Sequence, residues 1–226
     1  MQHRWVMGLL LTGFCAVPCL SQYRVLTGEA DKDGCFPKTP ARICLGSSGT
    51  SHCYAPPLDK DDAAYIFGLE PKAKPVAQLA GHELTLFTAA FSGCGNGTLT
   101  SFSLLTVKDG EYVNLLPKVE LTNQSEFKLW RLPLLSGLLV LATADFVWDY
   151  ETMKASNYSK ETHFARHRYQ VCVYVFDTKT GKYLQRLQYE TARKYPGLDE
   201  VDEIRVLNAE MPAILAKLQS GHHSIR

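Results

Sequence analysis

Four side chains in this sequence have the types and the spacing for metal chemistry. His163 and His167 stand four residues apart, so in an extended backbone both imidazoles project to the same side. Asp145 and Asp149 repeat that spacing upstream. If the two segments pair as neighbouring strands, two imidazoles and a carboxylate converge. That donor set suits zinc or another divalent transition metal with one position left for water, the chemistry of a metal-assisted hydrolase. The same residues have a plainer use on a wet sheet face, where Asp145 and Asp149 pair with Arg166, Arg168 or the histidines. Neither HExxH nor an EF-hand loop is present to favour the first use. The expectation is therefore no cofactor, with a divalent metal on His163, His167, Asp145 and Asp149 as the alternative.

Other stretches carry weaker chemistry. The acidic residues Asp199, Glu200, Asp202 and Glu203 could ligate calcium, but a run of this kind ordinarily solvates a loop. The cluster Gly93-Cys94-Gly95-Asn96-Gly97 lacks the Lys-Ser/Thr that follows a phosphate cradle, and Gly46-Ser47-Ser48-Gly49 lacks the spacing of a nucleophile elbow. Trp130, Trp148, Tyr169, Tyr174, Tyr183 and Tyr189 could form a strip on which a sugar or peptide stacks, although strand alternation sends most of them to a core. Asn96, Asn123 and Asn157 are each followed two residues later by Thr or Ser, the acceptor pattern for glycosylation on surface loops. With abundant sheet and no catalytic motif, the expected function is a non-enzymatic binding or interaction module for a protein, peptide or glycan. It would act through loop ends or an aromatic sheet face. A metal-assisted hydrolase centred on His163 and His167 is the alternative.

Charge and cysteines bound the setting. Residues 1–21 read as a secretory leader: Arg4, an apolar run over 5–17, and small residues at Cys19 and Ser21. The run falls short of the ~20 residues that span a bilayer, so no membrane anchor is expected after cleavage near Ser21, and the compartment is extracellular or periplasmic. Without Arg4 the chain holds 23 basic and 23 acidic residues, a balance that gives no steering toward nucleic acid. Beyond the leader remain Cys35, Cys44, Cys53, Cys94 and Cys172. In an oxidising compartment disulfides are the default. Cys172 lies mid-strand between Val171 and Val173, where a thiol packs as a small hydrophobe. Cys35, Cys44, Cys53 and Cys94 are the disulfide candidates, with three pairings open.

The elements that would position these groups are strands. The chain of 226 residues is 46% hydrophobic, enough for one domain core. Over 169–176 apolar residues fill both alternating sets, Asp177 opens a turn, and Gly181 closes it before 182–188. Asp109-Gly110 forms a two-residue hairpin turn that sets Lys108 opposite Glu111 and Val107 opposite Tyr112. Strands are expected over 84–91, 118–122 and 126–132. Another over 138–150 has one core face, carrying Val140, Ala142, Ala144 and Phe146, and one partly wet face. Residues 22–81 read as loop-rich, with short strands at 42–45, 52–54 and 63–69, the last closed by Pro71 and Pro75. Asn208 caps a final helix that lines up Met211, Ile214, Leu215 and Leu218. The predicted fold is mainly β: an antiparallel sandwich or partly open barrel over 82–226 with one C-terminal helix, preceded by a disulfide-linked N-terminal segment over 22–81. A small propeller-like meander is the alternative.

Overall fold

The computed structural model describes residues 23–34, 36–46, 52–57, 66–79, 81–92, 98–116, 120–122, 126–132, 138–147, 166–196 and 205–222. Its organising unit is the long hairpin of β12 (Tyr169–Asp177) and β13 (Lys182–Glu190). Asp177 accepts from Thr180 Oγ1 at 2.8 Å, Gly181 N–H donates to the Asp177 carbonyl at 2.9 Å, and Gly181 takes a φ of 66°. The turn residues thus do what their chemistry predicts. β12 also pairs with β10 (Leu138–Phe146), which pairs with β9 (Glu126–Leu132), giving a four-stranded antiparallel sheet.

A second antiparallel sheet holds β4 (Leu69–Leu79), β5 (His82–Ser92), β6 (Thr98–Lys108) and β7 (Glu111–Asn114), with β8 (Glu120–Thr122) also on β6. The β6–β7 turn has the expected register, Lys108 opposite Glu111 and Val107 opposite Tyr112. Asp109 and Gly110 take φ values of 53° and 80°, as the tight turn requires. A third sheet of β1 (Tyr23–Leu26), β2 (Arg42–Leu45) and β3 (Cys53–Tyr54) is closed by the Cys44–Cys53 disulfide. Cys172 carries a thiol; Cys35 and Cys94 lie outside the described residues. One further ladder, β11 (Arg166–His167) with β14 (Tyr195–Pro196), stands at the end of the four-stranded sheet. The single described helix is α1 (Val206–His222).

Side-chain alternation stacks these elements into layers. On β10, Val140, Ala142 and Ala144 face a core shared with Val206, Leu207, Ile214 and Leu218 of α1. Leu139 and Leu141, on the other side, join Leu84, Leu86, Phe102 and Leu104 of the second sheet. The far face of that sheet, through Phe87, Ala89 and Leu105, packs on Ala41 and Ile43 of the third. The order is α1, four-stranded sheet, five-stranded sheet, three-stranded sheet. The molecule is mainly β and a layered sandwich. Each sheet keeps its edges, so no barrel closes among the described residues. Stacked layers also set aside the propeller alternative, which needs blades around an axis. The face of 138–150 expected to be partly wet is drier than predicted: Thr143 is buried and Leu139 and Leu141 pack on the second sheet, while Asp145 is half-buried and 148–150 lie outside the described residues.

The front of the chain is more regular than its composition predicts. The composition does not predict β1; of the short strand expected over 63–69, residues 63–65 lie outside the described residues and 66–68 are not in a strand, while β4 starts at Leu69 and runs through Pro71 and Pro75. β4 is an edge strand, where an N–H on the outward side has no ladder partner to lose. Register shifts at Leu69/Lys72 and Pro75/Ala77 absorb the prolines as bulges. β4 pairs with β5 across residue 81, so the ladder crosses from the Cys-containing segment into the sheet that follows it. Near Gly28 the chain passes itself so closely that a Cβ would lie 1.9 Å from the Thr39 carbonyl oxygen, and only glycine fits there.

Candidate functional site

Of the predicted metal set the structure describes two members, His167 and Asp145, on different ladders. His167 is buried on β11 and pairs with Tyr195 of β14, whereas Asp145 is half-buried on β10 and pairs with Gln170 of β12. No cross-strand pair joins them. His163 and Asp149 lie outside the described residues, and among those described no group of three His, Cys, Asp or Glu stands close enough to hold a metal ion. The acidic run over 199–203 and the asparagines 96, 123 and 157 also lie outside. The aromatic strip does not form as a surface. Trp130, Tyr169, Tyr174 and Tyr183 are buried, Tyr189 is half-buried, and Trp148 is outside the described residues.

The polar groups that do converge lie where α1 meets the ends of β9, β12 and β13. Glu126, 3% exposed, opens β9 on the face that also carries Trp130 and Leu132. Its carboxylate accepts the backbone N–H groups of Arg205, Val206 and Leu207 at 2.8, 2.9 and 2.8 Å. Those are the orphan donors of a helix start, and the negative charge also complements the helix dipole. Asn208 is therefore not the cap. It lies in the first turn, where its Oδ1 accepts from Lys128 Nζ at 2.6 Å, and the helix begins at Val206 because a strand residue far away in sequence satisfies its end.

Beside this cap, residues 190–196 form a braced turn. Thr191 is fully buried: its N–H donates to the Tyr169 carbonyl at 2.9 Å, its Oγ1 accepts from Tyr169 N–H at 3.0 Å, and it donates to the Arg193 carbonyl at 2.8 Å. Three arginines close around the peptide that follows. Arg166 donates to the Lys194 carbonyl at 3.0 Å and Arg205 to the Pro196 carbonyl at 3.1 Å, while the Arg193 guanidinium lies 4.5 Å from the centre of the Tyr195 ring. Arg166, Arg193 and Lys194 are exposed. A guanidinium carries five donors in a planar fork; Arg166 and Arg193 are exposed, whereas the Arg205 Nε is buried and its side chain also bonds Tyr169.

Behind the turn, Glu210 of α1 accepts from the hydroxyls of Tyr189, at 3.1 Å, and of Tyr195. Burial, with Glu210 adding to it, pushes both tyrosines above their ordinary range, so they stay protonated and serve as donors, not nucleophiles. Burial raises Tyr169 as well, against the pull of Arg205. Lys217 sits 4.9 Å above the Tyr189 ring. The sequence held one signal for the Glu126 cap: a carboxylate on the strand face that also carries Trp130 and Leu132 needs a buried partner.

Comparison of the chain with protein families, with curated proteins and with solved structures finds no match.

Proposed function

We propose that this protein is a non-enzymatic binding module of an extracytoplasmic compartment, and that it meets its partner through the arginine-braced turn over 190–196. The observation that supports the reading most is Arg166 and Arg193, exposed yet held in place by contacts to a turn that buried Thr191 pins. Preorganised arginine and tyrosine side chains recur at the energetic centres of interfaces because little rotamer entropy is lost on binding. The covered faces of the sheets leave turns and edges as the contact surfaces. The Cys44–Cys53 disulfide and the leader-like residues 1–21 support an oxidising location, and no described helix is long and apolar enough to cross a membrane.

Peptide and glycan arrays probed with the purified chain test the reading, with elemental analysis run alongside. Saturable binding that weakens in Arg193→Ala is the expected result. Blank arrays, together with stoichiometric metal that is lost in His163→Ala and His167→Ala, would replace the module with the metal-assisted hydrolase.

A further inference from the structure

We infer that the braced turn binds carboxylate-rich peptide segments, the acidic stretch of a partner protein. The inference rests on the binding-module reading and names its ligand. Five cationic side chains share the end of the four-stranded sheet: Arg166, Arg168, Arg193, Lys194 and Arg205. The described carboxylates beside them, Asp145, Glu126, Glu190 and Glu210, already have partners. Glu190 pairs with Arg168 at 3.7 Å, Glu126 caps α1, and Glu210 accepts from two tyrosines. Arg166 holds the Lys194 carbonyl, and Arg193 stacks on Tyr195, bonds its hydroxyl and lies within the field of Glu210; both guanidinium groups are exposed, and their planar form matches a carboxylate with two parallel hydrogen bonds.

A peptide is favoured over a sugar because a pyranose needs an open aromatic face. The rings here are covered: Tyr195 is buried with Arg193 stacked on it, Trp130 is buried beneath Lys128, and Tyr189 carries Lys217. Extended peptide carboxylates need only charge and forked donors, which this turn presents.

The test is a titration of fluorescein-labelled hexaglutamate with the full chain, read by anisotropy at low and high salt, with hexalysine and a sulfated oligosaccharide as comparison probes. Saturable, salt-sensitive hexaglutamate binding is expected. It should weaken about five- to twentyfold in Arg166→Ala/Arg193→Ala, from the loss of two exposed charge contacts. Arg166→Lys/Arg193→Lys should recover part of it, since lysine keeps the charge and loses the fork. Should the double alanine variant misfold by circular dichroism, Arg193→Ala alone decides, because its exposed side chain lies on the outside of Tyr195. The titration is repeated with Asp199, Glu200, Asp202 and Glu203 changed to their amides, and the same arginine dependence is expected. Four results overturn the inference: no hexaglutamate binding by the folded chain, equal binding by the alanine variants, loss of arginine dependence in the amide background, or tighter binding of the sulfated sugar. A neutral peptide bound on the array while hexaglutamate fails would sink this ligand and leave the module reading standing.

Discussion

At the residue scale the deciding side chain is Glu126. A carboxylate is expensive to bury, and here three backbone N–H donors of the α1 start offset that expense. Replacing it by alanine leaves those donors buried and without an acceptor. Glu126→Ala should therefore lower unfolding free energy by about 2–3 kcal/mol, read as a shifted urea midpoint with helical circular dichroism lost first. Glu126→Gln keeps one acceptor oxygen and should lose about 1 kcal/mol. A midpoint unmoved in Glu126→Ala would mean that the cap is incidental. The turn residues were legible because their conformations are local: Asp177, Gly181, Asp109 and Gly110 each act on backbone within a few positions. Glu126 was not legible as a cap, since its partners begin 79 residues further along the chain.

At the element scale the N-terminal sheet depends on a short cross-link. Cys44 and Cys53 sit opposite one another on β2 and β3, nine residues apart. Opening the bond by Cys44→Ala/Cys53→Ala should cost about 2–3 kcal/mol through the freedom returned to the unfolded loop. Amide exchange should locate that loss in β1–β3 and leave β10 and β12 protected, because the latter lie two layers away. Uniform acceleration across all sheets would contradict the layered reading. The candidacy of Cys44 and Cys53 followed from composition and compartment, whereas their pairing followed only from register. β4 shows the opposite case. Proline chemistry predicts an end to the strand, but β4 has a neighbour on one side only, and Pro71 falls in the register shift between Leu69 and Lys72, where no residue of β5 is paired with it. A proline rule alone does not reveal which strand is an edge. In α1, Ile214 and Leu218 are buried as the periodicity predicts, and Pro212 lies inside the helix.

At the scale of the whole molecule, burial of tyrosine sets the alkaline limit. Tyr112 is pushed up to about 12 by burial, aided by Tyr23 and Glu83; Tyr54, Tyr169, Tyr183, Tyr189 and Tyr195 are also raised, burial being the largest cause for each. A raised folded value means that the native state holds protons the unfolded chain has released. The stabilisation is complete below the ordinary tyrosine value of about 10 and falls as pH climbs through the folded values. Tyrosinate absorbance should accordingly lag behind that of free tyrosine above about pH 10 and then rise together with loss of the folded signal; independent, early titration would refute it. Binding predictions also belong to this scale, because the cationic turn is assembled from β11, β14 and α1. Alternation along each strand, read from the sequence alone, determined that this is a β protein, where its hairpins turn, and that Cys172 stays a thiol within a strand. Those properties depend on neighbours within a few residues. Only the tertiary structure decided that both faces of β10 are covered, that Glu126 starts α1, and that Arg166, Arg193 and Arg205 meet at one turn. Contacts between residues far apart in the chain depend on which layers stack, and strand periodicity records that a face is buried without recording what buries it.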